Sequence, residues 1–203
     1  LVHRDIKPAN IMLNRRGGEP DVIKVLDFGL VKAIDDRRQA GLTHGAALTG
    51  TPLYMSPEAI EFPNSVDARS DLYAVGAVGY FLLTGESVFE AASVVELCQM
   101  HLDKAPVPPS ARAGVTIPPE LESALLACLE KSRAKRPQTA RDLAALISRC
   151  AEANAWSIED SDAWWGRHER GVSAAILGAP SAPSAGRTSA QGHDMTIDLG
   201  SIK

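Results

Sequence analysis

The chain has 203 residues, 45% of them hydrophobic, and a formal net charge of −4. That length holds one ordinary domain or part of a larger one, and the apolar fraction suffices for a real core. The charge is spread along the chain, which removes the electrostatic case for a nucleic-acid partner.

In chain order, residues 10–13 and 22–26 are short β-rich runs separated by the turn formers Asn14-Arg15-Arg16-Gly17-Gly18-Glu19-Pro20. The pattern predicts a small hairpin that aims Asp5 and Asn10 on one side and Asp27 on the other. Residues 30–58 show little periodicity and much Gly, Thr, Asp and Pro, which predicts a long surface loop. Ser70-Asp71 reads as a helix N-cap. The segment 72–83 is apolar on every face and belongs at the centre of a domain, ending at Thr84-Gly85. Val94, Val95, Leu97, Cys98 and Leu102 predict a further helix, and residues 105–119 a Pro-rich connector. Pro119-Glu120 opens a helix with Leu121, Leu125 and Leu129 on one stripe. Thr139 and Asp142 form a capping-box pattern ahead of Leu143, Leu146, Ile147 and Cys150. After about Arg170 the composition turns to Ala, Ser, Gly and Pro, and residues 171–203 are expected to be a disordered tail.

Cys98, Cys128 and Cys150 are widely spaced without a C-x-x-C and read as reduced core thiols of a cytosolic protein. No H-x-x-x-H pairing points to zinc. Leu1 is not followed by a signal peptide, and the longest apolar stretch is too short to cross a bilayer. The expectation is a cytoplasmic segment of a longer reading frame.

The polar residues around the hairpin carry the chemistry. Asp5, Lys7 and Asn10 set a carboxylate, an ammonium and an amide within six residues, and Asp27-Phe28-Gly29 adds a second carboxylate. These groups can hold ATP·Mg²⁺ and position a hydroxyl for phosphoryl transfer. Taken one at a time, they read equally well as capping, turn and surface residues.

Together, HRDIKPAN, DFGL, GTPLYMSPE, SDLYAVG and KRP, in this order, resemble the eukaryotic-like protein kinase family over residues 1 to about 150. The helical part is similar to bacterial serine/threonine kinases. The resemblance implies an α+β fold: the mainly helical C-lobe of a kinase, residues 1–150, with a small β-hairpin at the catalytic cleft. An extension, 151–170, and the tail, 171–203, follow.

It also implies roles. Asp5 is the base that orients the substrate hydroxyl and accepts its proton. Lys7 neutralises charge on the γ-phosphoryl group, and its presence favours a Ser/Thr over a Tyr kinase. Asn10 and Asp27 hold Mg²⁺, with Mn²⁺ as an alternative. Met12 floors the adenine site; His3 and Phe28, beside Gly29, belong to an apolar spine. Arg4 meets a phosphate on the activation loop, for which Thr43 and Thr49 are the candidate sites. Thr51 contacts Asp5 and Lys7. Glu58, in Ser-Pro-Glu where the family usually has Ala-Pro-Glu, pairs with Arg136. Asp71 holds the catalytic-loop backbone. The implied partners are ATP and protein substrates with Ser/Thr hydroxyls.

The family's Gly-rich loop, β3 lysine and αC glutamate have no counterpart in these residues. The expectation is that this polypeptide alone has no useful kinase activity, binds ATP weakly and needs an N-lobe. The alternative is a pseudokinase-like, non-catalytic protein-binding module, against which the intact Asp5, Lys7, Asn10 and Asp27 argue. Trp156, Trp164 and Trp165 read as packing an extension back on the domain.

Overall fold

Strands β1 (Ile11–Arg16) and β2 (Glu19–Val25) form an antiparallel hairpin with Ile11 opposite Val25 and Leu13 opposite Ile23. The computed structural model describes residues 2–27, 52–177 and 195–198. The turn is tighter than the string of turn formers suggests. Gly17 and Gly18, at φ 59° and 88°, supply the two positive φ values of a two-residue turn, so Asn14 to Arg16 and Glu19 to Pro20 stay in the strands. A third strand, β3 (Met195–Asp198), pairs antiparallel with β1, giving the order β2-β1-β3.

After a 3₁₀ turn at Pro52–Tyr54 come the helices α1 (Pro57–Glu61), α2 (Ala68–Thr84), α3 (Val94–Asp103), α4 (Pro109–Ala113), α5 (Pro119–Cys128), α6 (Ala140–Ile147) and α7 (Ile158–Leu177). The N-cap of α2 is Asp67, which accepts the Arg69 N–H, and not Ser70-Asp71. Those two lie inside the first turn and face other partners. The expected connector 105–119 contains α4, begun by Pro109 and closed by Gly114. The Thr139–Asp142 capping box forms as its spacing predicts. Cys150 lies beyond the last turn of α6, on the approach to another 3₁₀ turn.

The expected tail is structured in part. Helix α7 runs on to Leu177, and β3 lies within the same window. Averaged composition hid the short β-forming run Met195-Thr196-Ile197-Asp198.

Helix α2 is the axis of the helical part. One side contributes Tyr73, Ala77 and Tyr80 to a core with Val88, Phe89, Leu97 and Leu129. Another contributes Leu72 to a core with Ala124, Cys128 and Leu143. Helix α3 is fastened to α2 by polar groups inside the first core. The Tyr73 hydroxyl and His101 Nδ1 are 2.8 Å apart, and Lys131 Nζ donates to the carbonyls of Met100 and His101 at the end of α3. The Lys131 ammonium also lies 4.6 Å from the centre of the Phe89 ring. Cys98, Cys128 and Cys150 are free and buried, and burial pushes the Cys128 thiol up to about 12. Among the described residues no helix is long and apolar enough to cross a membrane.

Candidate functional site

Three segments distant in sequence meet where the hairpin joins the first residues of the chain. The 3₁₀ turn Pro8–Asn10 leads into β1, and the Asn10 N–H donates to the Lys7 carbonyl at 3.0 Å. At the hairpin's open end the Leu26 N–H donates to the Asn10 carbonyl at 2.9 Å, so Asp27 stands one residue beyond a bond to Asn10. Asp27 is exposed and holds φ 56°, a left-handed conformation unusual outside glycine.

Asp5 is gripped on one oxygen. Lys7 Nζ lies 2.9 Å from its Oδ2, and the Asn10 side-chain amide donates to the same Oδ2 at 2.9 Å and to the Asp5 carbonyl at 2.8 Å. Asn10 is buried, so its amide is a fixed donor.

His3 joins both sides of the site. Its Nδ1 accepts the Asp5 N–H at 3.3 Å, and its Nε2 donates to the Leu26 carbonyl at 2.9 Å, a pairing that assigns the proton to Nε2. Beneath, the Asp71 carboxylate accepts two consecutive backbone donors: the His3 N–H at 2.7 Å and the Arg4 N–H at 2.8 Å. Arg4 takes φ 68°, which turns these donors toward helix α2. The first turn of the domain's central helix thus clamps the loop that carries Asp5.

Glu58 and Arg136 form a bidentate pair, with NH1 to Oε1 at 2.7 Å and NH2 to Oε2 at 2.8 Å. Arg136 is 2% exposed, and its remaining donors reach the carbonyls of Glu130, Arg69 and Lys131. Ser70 Oγ donates to Glu58 as well. Burial works to raise the Glu58 carboxyl, but the bonds from Arg136 and Ser70 outweigh it and hold it below its ordinary value.

The structure therefore brings together Asp5, Lys7, Asn10, His3 and Asp71, with the backbone of Asp27 alongside. Met12 is in β1, opposite Lys24. Glu58 and Arg136 form a separate buried joint. Phe28, Gly29, Thr43, Thr49 and Thr51 lie outside the described residues.

Sequence reasoning missed Ser70 as a partner of Glu58, the Leu26 backbone as a partner of Asn10 and His3, and Asp21, which meets two tryptophans. None of these has a local signal, because each partner is fixed only by the tertiary fold.

The sequence model described as the protein kinase domain matches residues 1–146. The chain therefore belongs to the protein kinase family. It is 44% identical over 142 residues to the serine/threonine-protein kinase pkn3 of Myxococcus xanthus, covering 69% of this chain and 26% of that protein. It is 42% identical over 156 residues to the serine/threonine-protein kinase PknB of Mycolicibacterium smegmatis, covering 76% of this chain and 24% of that protein. PknB of Mycobacterium tuberculosis is 41% identical over 150 residues. Within that family its sequence is similar to these bacterial serine/threonine kinases, and the chain spans about a quarter of their length.

Proposed function

We propose that residues 1–150 are the C-lobe of an ATP- and Mg²⁺-dependent protein serine/threonine kinase, with 151–170 an extension on it, acting in the cytoplasm. The observation that carries the reading is the grip on Asp5: Lys7 and the Asn10 amide both engage Oδ2. Among the described residues Oδ1 accepts no hydrogen bond, and it is the oxygen that takes the proton of the substrate Ser or Thr hydroxyl. Lys7, held beside that carboxylate, offers its ammonium to the transferred phosphoryl group.

The Asn10 amide nitrogen is spent on Asp5, which leaves its carbonyl oxygen to face a cation. Together with the Asp27 carboxylate this is an oxygen donor set, which suits Mg²⁺ or Mn²⁺. Bound there, the cation would neutralise charge on the nucleotide phosphates. Met12 would lie under the adenine, and Arg4 would meet a phosphate on Thr43 or Thr49, with Thr51 beside Asp5.

Residues 1–203 contain no G-x-G-x-x-G loop to cover ATP, so we expect no phosphate transfer from these residues without a lobe that supplies one.

The test is phosphate incorporation from ATP·Mg²⁺ by the intact polypeptide carrying these residues, beside its Asp5→Asn variant. The expected loss is roughly 10²–10⁴-fold. Equal incorporation in both would overturn the role given to Asp5.

A further inference from the structure

Residues 156–168 follow the stretch matched as the kinase domain, yet they are bound to the hairpin. Trp165 is fully buried, and its indole N–H donates to Asp21 Oδ1 at 2.8 Å. The Trp156 indole donates to Asp21 Oδ2, also at 2.8 Å, so each carboxylate oxygen holds one tryptophan. The Ser161 hydroxyl is buried beside them without a well-formed hydrogen bond. Next to Ser161 on α7, Asp162 accepts from Arg15 of β1 at 2.8 Å. The start of α7 is itself fixed, because the Ser157 N–H donates to Asp160 and the Asp160 N–H to Ser157 Oγ.

Both hairpin anchors sit at one irregularity. Asn14 is opposite Val22 and Arg16 opposite Glu19, so Pro20 and Asp21 together face Arg15. This is a β-bulge on β2, the kind of feature that re-aims a side chain. Asp21 takes φ 60° there, a conformation that costs a non-glycine residue on the order of 1–2 kcal/mol. The bulge turns Asp21 onto Trp156 and Trp165, and Arg15 onto Asp162 of α7.

We propose that residues 156–168 are a strap that locks the bulged hairpin through Asp21, and so fixes the spacing of Asn10 and Asp27 at its open end. Asp21, Trp165 and Trp156 are positioning residues in this arrangement. The role rests on the assignment of Asn10 and Asp27 to the nucleotide and its cation. Burial works to raise the Asp21 carboxyl, but the neighbouring Ser161, Trp156 and Trp165 lower it below its ordinary value, in keeping with a carboxylate held in its charged, accepting form.

The experiment is amide hydrogen exchange on the whole chain, with Asp21→Asn and Trp165→Phe each compared with wild type. Asp21→Asn replaces an acceptor with an N–H₂ group facing an indole N–H; Trp165→Phe keeps most of the ring and loses the donor. The strap predicts exchange at least about tenfold faster across residues 11–25 and at the Leu26 amide, which bonds the Asn10 carbonyl, with α2 amides unchanged. Mn²⁺·ATP affinity is measured in parallel on the intact polypeptide carrying these residues and falls with the Leu26 protection. Unchanged Leu26 exchange in both variants overturns the proposal, since α7 would then merely rest on the hairpin. So does a loss of Leu26 protection that leaves a measurable Mn²⁺·ATP affinity unaltered. If the variants show the exchange effect but the intact wild-type polypeptide binds no Mn²⁺·ATP, the strap stands and the nucleotide reading falls instead.

Discussion

At the scale of single residues, burial sets how much each polar side chain has at stake. Arg136 spends every donor of its guanidinium on Glu58 or on backbone carbonyls, so a deeply buried charge carries no unmet hydrogen bond. His101 is the contrasting case. It is 0% exposed; its Nδ1 faces the Tyr73 hydroxyl, and its Nε2 has no partner among the described residues. Burial, with the Lys131 ammonium close by, pushes its pKa down to about 4 from 6.5. The unfolded chain therefore binds the proton first as pH falls. The neutral ring's contribution is whole above pH 6.5 and is lost as pH drops toward about 4. The loss amounts to ~3 kcal/mol at most. Urea unfolding at pH 7, 5.5 and 4.5 should show this component in the wild type and not in His101→Phe, even if the variant starts from a lower stability. Parallel pH profiles for the two proteins would contradict it. No local pattern announced His101: as one apolar-flanked histidine on a helix it looked like any other core position.

At the scale of elements, the crossing of α2 and α5 depends on two glycines that do different work. A Cβ at Gly76 would stand 2.6 Å from Cys128 Cβ and 3.3 Å from the Leu125 carbonyl oxygen, atoms tied to the α5 backbone. A Cβ at Gly79 would stand 2.5 Å from Leu125 Cδ2, the end of a side chain that can rotate away. Gly76→Ala should therefore force the helices apart and cost about 1–3 kcal/mol. Gly79→Ala gains up to ~1 kcal/mol of helix propensity against its clash and should change stability much less. Thermal unfolding of the two variants checks the contrast, and an equal loss in both would refute it. The helices were legible because their signals are local: apolar spacing over α3 and α5, Pro at the start of α5, the Thr139–Asp142 box before α6. The open end of the hairpin was legible for the same reason. Its bulge was not, because the partners of Asp21 are Trp156 and Trp165, 135 and 144 residues away. The cap of α2 was misplaced because Ser70 and Asp71 suit an N-cap by residue type. Tertiary contacts assign them instead to Glu58 and to the His3–Arg4 backbone.

At the scale of the whole molecule, the candidate site is built by two long-range ties to one short loop. From below, Asp71 on α2 holds the backbone of His3 and Arg4, 68 and 67 residues away. From the side, the hairpin returns Leu26 to Asn10 and His3. Neither tie touches the Asp5 carboxylate, so breaking one should displace Asp5 without changing its chemistry. Asp71→Asn isolates the first tie. Its amide oxygen can accept one of the two N–H groups, while its nitrogen faces the other donor to donor. The variant should keep the helical core, because Asp71 is not the α2 cap and the apolar clusters do not include it. With Asp5 as the proposed base, a displacement near 1 Å there can cost ~10²-fold in rate, and the loss should fall on kcat with KM for ATP little changed. Steady-state kinetics of the intact polypeptide, read beside the melting temperature of the variant, separates this from general unfolding. A variant with normal kcat would show that the α2 carboxylate does not hold the loop that carries Asp5 in place. One that has simply lost its melting transition would show that the tie holds up the fold and not the geometry of the site.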